Sequence, residues 1–154
     1  MLERTPVGLD EIVETFGSLD VPKFKDRYIT PFTLPYPLYY DKEIVHRARC
    51  HFLIVDNFLK AFDTLQKNGL SKYVQNYGGI YNDRKVRGKE GKTGKVSTHA
   101  WGIAIDLEPK KYPLGSSDRF PDEVVSIFNE CGFFYGGDFK GRKDPMHFQF
   151  AKGY

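Results

Sequence analysis

The chain has 154 residues with 23 Lys and Arg against 20 Asp and Glu, a net charge of +3 that is too small to make it a nucleic-acid binder by composition. Hydrophobic residues at 40%, charged at 28% and aromatics at 16% exclude a disordered chain and predict one soluble domain with a substantial core. No apolar run reaches the ~20 residues of a membrane-spanning helix, so membrane insertion is not expected.

Leu9, Ile12, Val13 and Phe16 follow helical spacing and stop at Gly17, predicting a short amphipathic helix with a glycine C-cap. The opening stretch has acids and a proline but no signal-peptide core, so synthesis in the cytosol without a leader is expected. From Val21 to Tyr40 the chain is rich in proline and aromatics, and Pro31, Pro35 and Pro37 forbid a helix. An extended segment wrapped on the core is expected over Val21 to Tyr40, within an N-terminal wrap of residues 1–40, with one edge strand at Arg27 to Thr30. Val45, Ala48, Phe52, Val55, Leu59, Phe62 and Leu65 then recur in steps of three and four between Asp41 and Gly69, predicting the main core helix. His46 and His51 would lie five apart on it, pointing in different directions, and receive no catalytic role.

Residues 78–95 combine glycines with Arg84, Lys85, Arg87, Lys89, Lys92 and Lys95 and predict a basic loop. Further on, "FPDEVVSIFNECG" predicts a helix opened by Pro121 and closed by Gly132, followed by short strands at 133–135 and 146–150. Cys50 and Cys131 sit in apolar segments without metal spacing and read as reduced core residues. Helices at intervals with strands clustered late predict an α+β fold, a small antiparallel sheet backed by helices.

The chemistry concentrates in "STHAWGIAIDL" and "DPMHFQF". Read as a strand, the first puts Trp101, Ile103, Ile105 and Leu107 on one face and Gly102, Ala104 and Asp106 on the other. The second puts Met146, Phe148 and Phe150 inward and His147 with Gln149 on the opposite side. If the two strands are neighbours, His99, Asp106 and His147 converge as two imidazoles and a carboxylate, the donor set of a catalytic zinc site with an open fourth position. Asp144, three residues before His147 across Pro145, can then serve as acid and base without ligating. The plainer alternative is a chance HxxxxxxD spacing in which each histidine is structural.

These residues match a known pattern. "STHAWGIAID" resembles the SxHxxGxAxD signature, and "YGGDFKGRKDPMHFQF" the closing segment, of the VanY-type zinc D-alanyl-D-alanine carboxypeptidase and L-alanyl-D-glutamate endopeptidase family, peptidoglycan peptidases that include phage endolysins. The resemblance spans Tyr77 to Phe150 and implies the D,D-peptidase fold that hedgehog signalling domains share. It implies one Zn2+ ion held by His99, Asp106 and His147, with Asp144 as the acid/base. Arg84 would steady the substrate carbonyl, and Ser97 would either bind substrate or orient its loop. Two departures stand out: Tyr135 and Phe139 replace the usual tryptophans, and the acid/base is an aspartate where several branches have glutamate. Asp138, the other nearby acid, is expected to bond backbone in its turn. The resemblance implies bacterial peptidoglycan as partner, with no nucleic acid, for a monomeric enzyme that reaches the wall after release during phage lysis or by another route. A non-catalytic zinc domain of the same fold, binding a partner, is the competing class.

Overall fold

The computed structural model describes residues 1–82 and 95–154. Most of the basic loop, including Arg84, lies outside the described residues.

The first helix, α1 (Gly8–Phe16), buries Ile12 and Phe16 and ends where Gly17, at φ 97°, returns its N–H to the Val13 carbonyl. A five-residue helix α2 (Phe24–Tyr28) takes the first two residues of the edge strand expected at Arg27 to Thr30, and the other two, Ile29 and Thr30, are strand. Beyond it the proline-rich segment is a long strand, β1 (Ile29–Tyr40), that pairs antiparallel with β2 (Glu43–His51). Phe32, Leu34, Tyr36 and Leu38 alternate inward along β1. In a two-stranded ribbon alternate N–H groups have no partner strand, so the prolines sacrifice no ladder bonds. Pairing shifts between Thr33 and Leu38, the interval that holds Pro35 and Pro37.

The expected helix from Val45 to Leu65 is therefore half strand. Asp41, expected as its cap, turns the β1–β2 hairpin at φ 53°, a left-handed conformation that aspartate tolerates. Val45, Ala48 and Phe52 fit helical steps, but Ala48 and Cys50 are buried at the two-residue interval of β2. The helix proper, α3 (Val55–Lys67), buries Phe58, Ala61, Phe62 and Leu65.

Neither His46 nor His51 is helical. His51 ends β2 fully buried among the rings of Phe16, Tyr28 and Phe52, with Nε2 donating to the Phe16 carbonyl at 2.9 Å and Nδ1 accepting from the Leu53 N–H at 3.3 Å. Burial lowers its pKa to about 4, although the bond to Phe16 opposes the shift. A folded pKa below the unfolded one gives stability that is present above pH ~6.5 and lost as pH falls towards 4, a loss of about 3 kcal/mol. Chemical denaturation at pH 7 and pH 4.5 should show this loss. His51→Gln should be less stable at pH 7 and should lose less on acidification; an identical pH dependence in both proteins would contradict the assignment.

The second sheet has the order β3–β4–β6–β5, all antiparallel: β3 (Tyr77–Gly79), β4 (Ala104–Leu107), β5 (Phe134–Tyr135) and β6 (His147–Gln149). Strand β3 overlaps the start of the stretch, residues 78–95, that the sequence reads as loop. β4 begins later than expected: Trp101 closes a 3-10 turn (Thr98–Trp101), and Gly102 at φ 71° breaks the strand before it starts. A side chain at Gly102 would meet Ile29 and the backbone of His51, whose N–H donates to the Gly102 carbonyl.

Helix α4 (Asp122–Glu130) packs Val124, Ile127 and Phe128 behind this sheet. Phe148 of β6 stacks on Phe128 at 4.2 Å and on Tyr135 at 4.7 Å. The aromatic content is thus spent on an interlocked core that fixes the orientation of β6. With Phe148 held on one side, its neighbours His147 and Gln149 must project from the other. The architecture is α+β, and among the described residues no helix is long and apolar enough to cross a membrane.

Candidate metal centre

Asp106 and His147 are directly opposed across the β4–β6 pair, so the register that packs the core also brings a carboxylate to an imidazole. His99 comes from the 3-10 turn that precedes β4. Ser97 caps that turn, its hydroxyl accepting from the His99 N–H at 3.2 Å.

The histidines show which ring nitrogen is available. His99 Nδ1 lies 2.7 Å from the Ile80 carbonyl, which can only accept, so that nitrogen carries the proton and Nε2 carries the lone pair. Nε2 is buried, faces Asp106 Oδ2 at 3.1 Å and makes no aligned hydrogen bond. In His147 the arrangement is mirrored. Its Nε2 is 2.9 Å from Gln149 Oε1, and the Gln149 amide nitrogen donates to the carbonyls of Ala151 and Tyr154, which fixes the oxygen towards the ring. Thr98 donates to the same oxygen at 3.1 Å. The proton therefore sits on Nε2, and Nδ1 faces Asp106 Oδ1 at 3.1 Å.

With His99 Nδ1 and His147 Nε2 engaged elsewhere, the remaining ring nitrogens face the two oxygens of one carboxylate, an arrangement satisfied by a shared metal ion or by a proton on the ring. One donor atom from each of His99, Asp106 and His147 lies within 4.8 Å of the others. Tetrahedral ligands at zinc distances stand ~3.3 Å apart, close to the two 3.1 Å separations here. Each histidine also donates its other N–H to a carbonyl oxygen, the support that metal-ligating histidines characteristically have. The group could hold a divalent ion. Burial works against ionising Asp106, but the hydrogen bonds and charges of His147 and His99 outweigh it and hold its carboxyl well below the usual range. For His147, burial opposes protonation and the carboxylates of Asp106 and Asp144 override it, raising its pKa.

Asp144 lies at the edge of the group, with Oδ2 3.8 Å from His147 Nδ1. Its placement depends on Gly136: the Asp144 N–H donates to the Gly136 carbonyl at 3.0 Å, and the His147 N–H donates to the Asp144 carbonyl at 3.0 Å. A side chain at Gly136 would fall 2.4 Å from the Asp144 carbonyl oxygen. Gly78 plays the same part on the opposite flank, where an added Cβ would press on the Cβ of Asp106 at 2.9 Å.

Two other expectations resolve differently. Asp138 bonds the guanidinium of Arg119 at 2.8 Å rather than nearby backbone, and its carboxylate is not part of the histidine cluster. Tyr135 does more than fill the place of a tryptophan. Its hydroxyl donates to the Pro145 carbonyl at 2.7 Å and accepts from the Phe120 N–H at 3.1 Å, so it braces the turn between Asp144 and His147.

No curated protein matches the chain. Residues 90–150, the segment that contributes His99, Asp106, Asp144 and His147, match the family model of D-alanyl-D-alanine carboxypeptidase.

Proposed function

We propose that the protein is a zinc metallopeptidase that hydrolyses the stem peptides of bacterial peptidoglycan, as a D-alanyl-D-alanine carboxypeptidase or an L-alanyl-D-glutamate endopeptidase. The observation that carries this reading is the pair of buried imidazole nitrogens facing one carboxylate, within the segment that matches a carboxypeptidase family. His99, Asp106 and His147 would hold one zinc ion. When bound, zinc supplies Lewis acidity, polarising the scissile carbonyl and making water nucleophilic near neutral pH.

The remaining chemistry belongs to the chain. Asp144 stands beside the cluster on a braced turn, where its carboxylate can accept a proton from the attacking water and deliver it to the leaving amine. Arg84, outside the described residues, is assigned to the substrate carbonyl oxygen because a guanidinium stays charged and stabilises a developing oxyanion. The basic stretch around it suits an acidic wall substrate. Action on the wall after release from the cytosol, as in phage lysis, fits this chemistry.

Mass spectrometry of purified muropeptides treated with the protein tests the reading. Loss of terminal D-alanine, or release of L-alanine-linked fragments, is expected, with both stopped by a chelator and restored by zinc. A zinc-loaded protein that leaves every muropeptide intact would instead be a non-catalytic metal domain.

A further inference from the structure

A cavity of about 570 Å³ lies next to the metal centre and belongs to none of the roles assigned so far. Its walls include Lys95, Phe134, Phe139, Lys140, Arg142 and Tyr154. Phe139 and Phe134 stack at 5.8 Å, and the Phe139 ring stands 5.9 Å from the ring of His147, so the aromatic wall of the cavity borders the cluster directly. On the other side, Tyr154 is tied to the segment before the His99 turn, its hydroxyl donating to the Val96 carbonyl and accepting from the Val96 N–H.

The charge in this cavity is one-sided. Three cations line it, and Asp138, the acid among the lining residues, is already neutralised by Arg119 at 2.8 Å. Lys140 and Arg142 have no ion-pair partner among the described residues. Lys95 rests over the Tyr154 ring at 4.7 Å. An aromatic wall beside a cluster of cations suits a peptide segment whose backbone lies on the rings and whose carboxylate meets lysine and arginine.

We infer that this cavity is a substrate subsite that binds a carboxylate of the peptide being cut, with Lys140 and Arg142 as its specificity-determining residues. The inference rests on the wall-peptide reading, and names the part of such a peptide that is recognised. A lysine-containing stem pentapeptide carries two such groups, the α-carboxylate of a γ-linked D-glutamate and the C-terminal carboxylate.

Titration calorimetry with the zinc-loaded protein, carried out in an Asp144→Asn background whose lowered turnover keeps the peptides intact, tests this apart from hydrolysis. Three probes are needed: the pentapeptide L-alanyl-γ-D-glutamyl-L-lysyl-D-alanyl-D-alanine, its C-terminal carboxamide, and the same peptide amidated at the glutamate α-carboxyl. Amidation at one position should weaken binding by about tenfold or more, as expected for losing a charge-assisted contact, and should identify the carboxylate bound. In the double variant Lys140→Ala, Arg142→Ala that difference should shrink to less than about twofold, with zinc content unchanged. Neither amidation weakening binding, or an equal penalty with and without the double substitution, overturns the inference. Carboxylate-selective binding with no hydrolysis by the protein that keeps Asp144 would uphold the subsite while removing the peptidase reading.

Discussion

Replacing His147 with alanine is expected to abolish zinc retention and lower muropeptide hydrolysis by about three orders of magnitude or more. The variant leaves Asp106 facing a single imidazole and breaks the chain of bonds from Nε2 to the Gln149 amide. The fold should survive, because β6 is anchored by Phe148 between Phe128 and Tyr135, on the opposite side of the strand. Elemental analysis, circular dichroism and product release measured on one preparation separate loss of the site from loss of the fold. A folded variant with full zinc and full activity would contradict the assignment.

Asp144→Asn should have a different signature. Asparagine keeps the size of the side chain, and the turn is held by backbone bonds from Asp144 to Gly136 and from His147 to Asp144, which the substitution leaves in place. Zinc should therefore remain, while kcat falls by about 10²-fold or more because the amide cannot take up and return a proton. Loss of zinc together with activity would show that Asp144 is a ligand. Unchanged turnover would show that another group moves the proton.

The site was more legible in the sequence than the fold around it. The alternation in "IAIDL" and "HFQF" was enough to place Asp106 and His147 on matching faces, because the apolar partners of each strand are large and their burial leaves no choice of face. Gln149 was visible by the same alternation, but its role was not, since that depends on the carbonyls of Ala151 and Tyr154 orienting its amide. The brace from the Tyr135 hydroxyl was hidden for a similar reason: its acceptor, the Pro145 carbonyl, is ten residues away in the chain.

The prolines of β1 exclude a helix as expected, and an edge tolerates the N–H they lack. Strand β2 was misread because one local rule pointed the wrong way. Val45, Ala48 and Phe52 satisfy helical spacing by coincidence, while the strand's own signal is carried by Ala48 and Cys50, small residues with little weight in a hydrophobic pattern. That error lies away from the metal centre, which is why the convergence of His99, Asp106 and His147 could be anticipated although the expected start of the core helix is a strand.

X-ray diffraction recorded on either side of the zinc absorption edge, from crystals of protein dialysed against zinc, tests the central claim most directly. One anomalous peak is predicted per chain, within bonding distance of His99 Nε2, Asp106 and His147 Nδ1. Crystals in which these three side chains are ordered and no peak lies among them, or in which the zinc is held elsewhere, would contradict it.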